Sequence, residues 1–169
     1  MSAIGLRPYV AADGKRCLEI FVRSVAELTS DDYDADQRDA WIAAADDEQA
    51  FAKRLAAMLT LIATIDGAAA GFASLKGADC VEMLYVDPDY ARRGVATALL
   101  DALMRLAAAR GAKRLSADVS DTAKPLFDRQ GFVAEQRNLV THGDQWLANT
   151  TMAKSLAGNP AANDATTRH

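Results

Sequence analysis

The sequence is poor in cysteine and has no long apolar run. Its two cysteines, Cys17 and Cys80, are far apart and fit neither a CxxC motif nor a His/Cys metal spacing, so they predict no disulfide framework and no zinc site. No segment approaches the roughly 20 apolar residues that cross a bilayer, and the N-terminus lacks the basic and apolar stretches of a signal peptide. We therefore expect a cytoplasmic protein with no membrane anchor.

Basic residues are also in the minority, which excludes a class of partner. The 19 Lys and Arg residues face 23 Asp and Glu residues, which gives a net charge of -4 and a pI near 5.1. A general nucleic-acid binder carries a basic surface, so we expect small molecules or proteins as partners instead. With 169 residues, half of them hydrophobic, the chain is large enough for one domain with its own core.

The apolar pattern predicts the element order β-α-α-β-β-β-α-β-α-β-β. Runs of aliphatic and β-branched residues predict strands over residues 4–10, 59–65, 71–75, 81–86, 115–119, 132–140 and 146–152. Helical spacing and capping signals predict helices over residues 17–28, within 27–48, from 95 to a stop at Gly111, and over 121–129. This order is typical of an α+β fold with a mostly antiparallel sheet and helices on both faces. Residues 157–169 are small and polar, so we expect one domain over residues 1–156 and a flexible C-terminal tail.

The helix predicted to begin near residue 95 has an unusual start. A helix N-terminus carries a partial positive charge and usually attracts Asp or Glu, but here two arginines and a glycine precede it and no acid follows until Asp101. An external anion bound by free backbone amides would resolve this mismatch. The alternative is that both arginines are solvated loop charges, since an isolated glycine turn is a weak signal. The residues of this predicted anion site are Arg92, Arg93, Gly94, Val95, Ala96 and Thr97.

Two segments resemble a known family. Residues 84–100 are similar to the acetyl-CoA motif of GNAT N-acetyltransferases, (Gln/Arg)-x-x-Gly-x-(Gly/Ala), with Gly94 and Ala96 on its last two positions and Ala91 departing from its first. Residues 126–132, Leu-Phe-Asp-Arg-Gln-Gly-Phe, are similar to the family's helix-ending (Phe/Tyr)-x-x-x-Gly-Phe. The resemblance covers roughly residues 4–156 and agrees with the derived element order. It implies a GNAT-like sheet of six to seven strands and transfer of an acetyl group from acetyl-CoA to an amine in one ternary complex.

The resemblance also implies further cofactor-binding residues. In many family members, backbone N–H groups of the strand here spanning residues 82–86 hold the thioester carbonyl. Ser120 stands where many members carry an asparagine that contacts the cofactor, and Lys124 is within reach of a phosphate. Phe127 stands where the family usually has a tyrosine as general acid, which leaves that role unfilled. The cofactor-binding residues predicted in addition to the anion site are Leu84, Tyr85, Val86, Ser120, Lys124 and Phe127.

Glu82 is the candidate general base. Period-two alternation puts it on one strand face with Cys80, Leu84 and Val86, where desolvation by apolar neighbours would strengthen it as a base. Its position also matches one from which some GNAT members deprotonate the amine through water. The alternative is a structural carboxylate paired with an arginine. We interpret Cys80 as a small buried residue rather than a nucleophile, because no partner base is evident.

Other chemistry-bearing residues leave alternatives open. Residues 27–48 contain nine acids against one base, so the segment either attracts a cationic amine or supplies solvated helix faces and caps. Trp41 is expected in the core rather than in a cleft wall, and His142 in an exposed turn rather than at the acceptor mouth. Tyr33, Tyr85 and Tyr90 are possible substitutes for the missing acid, but we expect packing residues with hydroxyls at the surface.

Two other classes of function compete with the enzyme. A non-catalytic acyl-CoA-binding or sensing module would keep the anion site but acetylate no amine, and the phenylalanine at position 127 favours it. A nucleotide-phosphate binder of another fold would bind ATP instead of CoA. The glutamate at position 82 favours the enzyme.

Overall fold

The computed structural model describes residues 3–156, which form seven strands and five α-helices. The strands are β1 Ile4–Pro8, β2 Leu59–Ile65, β3 Ala68–Lys76, β4 Cys80–Val86, β5 Arg114–Ser120, β6 Val133–His142 and β7 Gln145–Ser155. The helices are α1 Gly14–Leu28, α2 Ala35–Ala43, α3 Glu48–Ala57, α4 Val95–Ala109 and α5 Lys124–Arg129. The predicted tail lies outside the described residues. No helix within residues 3–156 is long and apolar enough to span a bilayer.

All seven strands form one sheet in the order β1-β2-β3-β4-β5-β7-β6. Neighbouring strands are antiparallel except β4 and β5, which are parallel and joined by the crossover through α4. A parallel pair needs such a long connection, whereas the other strands follow one another through short turns or return antiparallel. The predicted α+β class and mostly antiparallel sheet are confirmed.

The helices cover both faces of the sheet and create two apolar clusters. One cluster packs α4 and Phe127 of α5 on the sheet, with Leu99 and Leu103 fully buried. The other packs α1 and α3 on the opposite face, with Ile20 and Leu55 fully buried. Alternate residues of β2 supply the two clusters, because successive side chains of a strand point to opposite faces. The predicted helices on both faces are therefore confirmed.

The middle of the sheet lies close under α4. A Cβ atom at Gly71 would come within 2.9 Å of the Tyr85 carbonyl oxygen and 3.0 Å of Val95 Cγ1. Only glycine therefore leaves room for the first turn of α4 against β3, since backbone and core atoms have no space to move aside. This close packing fixes the start of α4 directly over the C-terminal half of β4.

The acidic segment, residues 27–48, contains the end of α1, all of α2 and the first residue of α3. Asp34 accepts a hydrogen bond from the Gln37 backbone N–H at 2.8 Å, and Asp47 accepts one from Ala50 at 3.0 Å. Both are aspartate N-caps, as predicted for this segment. The helix predicted over residues 121–129 begins only at Lys124, because residues 121–123 form a turn and Pro125 occupies the first helical turn.

A buried carboxylate ties α1 to the turn that leads into α4. Asp87 is 0% exposed, and its oxygens lie 2.8 Å and 3.0 Å from guanidinium nitrogens of Arg23 and Arg16. The same carboxylate accepts the backbone N–H of Asp89 at 2.8 Å and so caps the 3-10 turn Pro88–Tyr90. Two charged donors and one amide satisfy a group that is too costly to bury alone.

Replacing Asp87 by asparagine should therefore destabilise the fold. Asp87→Asn leaves both guanidinium groups without their shared anion, and we expect a loss of roughly 3 kcal/mol, the lower end for a broken buried pair, because both arginines remain partly exposed. Urea unfolding measures the change. The matched control is Asp89→Asn, since Asp89 is exposed, and it should stay within about 0.5 kcal/mol of wild type. Equal losses in both variants would contradict the assigned role of Asp87.

Candidate active site

A cleft opens where β4 and β5 separate. These strands are paired only at Cys80 with Ser116 and at Val81 with Ala117, after which they diverge towards their C-terminal ends. A cavity of about 470 Å³, here called the main cleft, lies above this gap. Its walls include the end of α1, the end of β4, the start of α4 and one side of α5. The predicted site residues among them are Leu84, Tyr85, Val86, Arg92, Gly94, Val95, Ala96, Thr97 and Ser120.

The start of α4 faces the main cleft without a neutralising side chain. Gly94 is the N-cap residue, has a φ of 84°, and provides no capping side chain, and the first turn holds no acid. Arg92 also has a positive φ of 62°, which non-glycine residues rarely adopt. The first N–H groups of a helix lack intrahelical acceptors. Free amides, a positive helix end and the guanidinium of Arg92 thus make the lining suited to an anion.

Three further basic side chains near the main cleft differ in whether they line it. The guanidinium carbon of Arg93 lies 5.5 Å from the centre of the Tyr90 ring, and Arg93 is not part of the cleft lining. Lys124 also lies outside the lining and is paired with Asp128 at 3.1 Å, one helical turn away. The contact of Lys124 with a cofactor phosphate therefore stays a prediction. Arg129, which the sequence analysis missed, lines the cleft instead.

Glu82 does not lie where strict alternation places it. Opposite β3, Val81 pairs with Leu75 and Met83 pairs with Ser74, so Glu82 is the extra residue of a β-bulge. The predicted apolar surroundings are therefore wrong: the Glu82 side chain is 31% exposed, and its Oε2 lies 3.3 Å from Nη2 of Arg54. This is the ion pair that the sequence left open as the alternative to a base. The pair is partly solvated and does not remove the carboxylate from the site.

A second cavity of about 180 Å³ lies on the α1–α3 face of the sheet. Glu82, Arg54 and His142 are its polar side chains apart from the Tyr85 hydroxyl, and aromatic rings form much of the rest of its wall. We call this space the second cavity. It is lined by Phe21, Trp41, Ala44, Ala45, Phe51, Arg54, Glu82, Met83, Tyr85 and His142.

A third space in the gap between β4 and β5 shares walls with both cavities. A small space of about 70 Å³ there is lined by residues of both strands and by Phe127. Trp41 and Tyr85 line this space, the main cleft and the second cavity alike. Glu82 lines the gap and the second cavity. The two cavities therefore lie on either side of the same two aromatic side chains.

Trp41 is a wall of these cavities and also packs against the apolar cluster of α1 and α3. It lines all three spaces, and its ring packs against Tyr33 at 5.5 Å and Tyr85 at 6.4 Å. The expected core position holds only in part, because α2 buries no residue completely. Two contacts hold this part of the chain against β7: Gln37 donates to the Trp146 carbonyl at 2.8 Å, and the Tyr33 hydroxyl donates to the Ala148 carbonyl at 2.6 Å.

His142 ends β6 and lies at the second cavity, not in an exposed turn. Its ring stacks on Trp41 with centroids 6.5 Å apart and an angle of 23° between the planes. Partial burial lowers the pKa of the imidazole from its ordinary value of 6.5. His142 is therefore neutral at pH 7 and able to accept a proton. The expectation of an exposed turn histidine is corrected on both counts.

The tyrosines considered as acids have different environments. Burial raises the pKa of Tyr85 to about 12, so its hydroxyl keeps its proton at physiological pH. The Tyr33 hydroxyl accepts the Asp121 backbone N–H at 2.9 Å besides its bond to Ala148, so it is a buried structural link and not a surface group. Phe127 is buried and packs edge-on against Phe132 at 4.9 Å, with no hydroxyl to offer.

The nine acids of residues 27–48 do not line the main cleft or the second cavity. Two cap helices, Asp32 accepts a hydrogen bond from Thr122, and Glu27 is paired with Arg23 at 3.6 Å. The segment does border these cavities, but through Trp41 and small residues rather than through its carboxylates. Attraction of a cationic amine by these acids stays a prediction. Cys80 is half-buried, and desolvation raises the pKa of its thiol, which disfavours the nucleophilic thiolate. Within residues 3–156, no cluster of three His, Cys, Asp or Glu side chains could hold a metal ion.

Sequence comparison decides which family this geometry belongs to. A profile described as "Acetyltransferase (GNAT) domain" matches residues 29–156. This chain belongs to the GNAT acetyltransferase family. It is 36% identical over 152 residues to the uncharacterized N-acetyltransferase YafP of Escherichia coli K12, covering 90% of this chain and 96% of YafP. It is thus an acyltransferase of the N-acetyltransferase type, and acetyl-CoA is its cofactor.

Solved GNAT structures share the fold over nearly the whole chain. A GCN5-related N-acetyltransferase from Rhodopseudomonas palustris is 55% identical, with a TM-score of 0.89 over 92% of this chain and 97% of that one. The PaiA N-acetyltransferase of Thermoplasma acidophilum, solved in complex with coenzyme A, is 18% identical, with a TM-score of 0.73 over 90% and 99% of the two chains. At that identity, the second likeness concerns the fold alone.

The main cleft of this GNAT protein suits a phosphate-bearing cofactor. The uncapped N-terminus of α4 and the guanidinium groups of Arg92 and Arg129 provide donors for phosphate oxygens. A Cβ atom at Gly94 would have only one neighbour within 4 Å, Ile4 Cδ1 at 3.8 Å, so the backbone here is open to a close ligand. The sequence had no local signal for Arg129, whose part depends on the orientation of α5.

A charge placed at Gly94 should weaken acetyl-CoA binding. Gly94→Asp and Gly94→Asn introduce side chains of equal shape, and both residue types tolerate the positive φ of this position better than most. Only Asp repels the phosphates, so we expect its dissociation constant to be about tenfold above that of the Asn variant, or about 1.4 kcal/mol. Calorimetric titration with acetyl-CoA measures both. Equal affinities in two folded variants would place the phosphates elsewhere.

Proposed function

We propose that this GNAT protein transfers an acetyl group from acetyl-CoA to the primary amine of a small molecule or protein, directly and within one ternary complex. The observation that carries the proposal is that the main cleft, the space in the gap and the second cavity share Trp41 and Tyr85 as walls. One side supplies anion donors and the other supplies proton acceptors. An acyl donor and an amine entering from opposite faces of the sheet would meet between β4 and β5.

Acetyl-CoA supplies the acetyl group as a thioester, which needs no further activation. The amine nitrogen forms a bond to the acetyl carbon, the carbon–sulfur bond breaks, and the sulfur leaves as thiolate. The amine loses one proton to a base and the thiolate takes one up, so the products are the N-acetylated amine and the free thiol of CoA. The protein therefore has to accept a proton, stabilise an oxyanion and leave room for the thiolate.

Backbone amides of β4 are the proposed oxyanion donors. From residue 82 onwards, the edge of β4 that faces β5 has no strand partner, because the two strands have separated. Alternate N–H groups along this edge are available to a carbonyl oxygen in the gap, with Leu84, Tyr85 and Val86 as the matching positions. The Tyr85 hydroxyl, protonated at all physiological pH values, is the proposed donor for the leaving sulfur in place of the tyrosine that Phe127 replaces.

Glu82 is the proposed general base. Its carboxylate lies at the gap and in the second cavity, where an amine would approach, and it is held through Arg54 rather than by apolar neighbours. His142 is the second candidate, because it lines the same cavity and is neutral at pH 7. Either group can act directly or through one water.

A non-catalytic acyl-CoA-binding or sensing module of the same fold is the alternative. The open second cavity favours the enzyme, because a sensor has no use for an acceptor space that reaches the acyl group. The direct experiment is to incubate the protein with acetyl-CoA and a panel of primary amines and to follow release of the CoA thiol. Binding of acetyl-CoA without thiol release from any amine would support the sensor. The cytoplasmic location stays a prediction that rests on the two free cysteines.

Substitution of Glu82 and His142 should identify the base. Glu82→Gln keeps the shape but loses the proton acceptor, so we expect kcat to fall about 10²-fold with the acetyl-CoA dissociation constant unchanged. His142→Gln should then have a small effect. If His142 is the base instead, His142→Gln should lower kcat strongly and Glu82→Gln should have the small effect. Wild-type activity should then fall as the pH drops through the lowered pKa of His142, below 6.5, because the imidazole becomes protonated.

The pH profiles of wild type and both variants on one acceptor complete this test, since ionisation of the amine produces a rising limb in all three. Unchanged kcat in both variants would show that neither side chain takes the proton. The remaining mechanism is then positioning of an amine that is already neutral.

A further inference from the structure

The second cavity contains one full positive charge beside its one full negative charge. The guanidinium of Arg54 and the carboxylate of Glu82 both line it and are joined by a single contact of 3.3 Å. The Arg54 side chain is 51% exposed at the cavity mouth. A single solvated ion pair contributes about 0–1 kcal/mol, so a ligand can separate these two groups at little cost. The pair marks two charged positions that an acceptor can take over.

The guanidinium group of Arg54 has N–H donors that its contact with Glu82 does not use. A guanidinium group carries five N–H donors in a planar fork that fits a carboxylate with two parallel hydrogen bonds. In the part of the chain that the structure describes, its one side-chain hydrogen bond is the contact with Glu82. The cationic side chain of Arg54 is therefore poorly suited to a second cation and well suited to a carboxylate.

The rest of the cavity is apolar and small. The rings of Phe21 and Phe51 lie 5.7 Å apart on its floor side, and Trp41 and Tyr85 form the wall towards the gap. A volume of about 180 Å³ is below the range of drug-sized ligand sites, so the cavity takes a small molecule. None of the acids of residues 27–48 lines it, so they provide no direct contact for a polycation.

We propose that the acceptor of this acetyltransferase is a free α-amino acid with an apolar or aromatic side chain. Its carboxylate binds Arg54, its amine lies against Glu82 at the gap, and its side chain packs among the aromatic rings. Amine and carboxylate of an α-amino acid are separated by one carbon, which matches the closeness of the two charged groups. The inference rests on the proposed acetyl transfer and specifies the acceptor for it.

Three acceptors that share a phenyl group and a primary amine test the proposal. L-Phenylalanine has a carboxylate, L-phenylalaninamide has a neutral amide in its place, and 2-phenylethylamine has neither. Rates are compared as kcat/KM per neutral amine, because the amino groups ionise at different pH. We expect L-phenylalanine to exceed each of the other two at least tenfold. Arg54→Gln should reduce that ratio at least tenfold, chiefly through a higher KM, and Arg54→Lys should restore part of it, since lysine keeps the charge but not the fork.

The matched control is Lys53→Gln, which removes a neighbouring exposed charge of α3 that does not line the second cavity and should leave the ratio unchanged. A wild-type preference for the amide or the decarboxylated amine, or a ratio unaffected by Arg54→Gln, overturns the proposal but leaves acetyl transfer intact. Acetylation of other amines of the wider panel, without acetylation of any amino acid, also overturns the proposal and leaves acetyl transfer intact. If acetyl-CoA binds and no amine releases CoA, the proposed function falls as well.

Discussion

The buried carboxylate of Asp87 is the interaction on which the site depends. It binds Arg16 and Arg23 of α1 and caps the turn that precedes α4, so one group joins the α1–α3 face of the sheet to the beginning of the helix on the other face. The main cleft lies next to this junction and the second cavity lies behind it. A charge fully removed from water holds its partners in a narrow range of geometry, because any displacement leaves it unsatisfied.

The divergence of β4 and β5 is the second constraint. A parallel pair held by two residue pairs leaves strand edges unsatisfied, which is costly in a folded core unless a ligand or water occupies the gap. The β-bulge at Glu82 lies where the pairing stops and turns this side chain towards α3. An irregularity that would weaken an ordinary sheet thus places a carboxylate beside the space between the separated strands.

Local sequence signals predicted the parts of the site that local geometry determines. The start of α4 follows from Gly94, the small residues after it and the absence of acids, all within one helical turn. The orientation of Glu82 was predicted wrongly, because a bulge depends on the register of β3 and not on the pattern of β4. Arg54 and His142 reach the second cavity from α3 and β6, so only the tertiary fold brings them to Glu82. The role of Asp87 was not predicted, because its burial against two arginines of α1 depends on the tertiary fold.

Two aromatic side chains, Trp41 and Tyr85, belong to both cavities at once. A rotation of either ring that enlarges one cavity changes the other, because each ring forms part of both walls. Any change that a ligand in the main cleft imposes on these rings must alter the affinity of the second cavity, and linkage requires the same factor in the reverse direction. Cooperativity between two ligands would then arise from one shared pair of rings, without movement of the domain.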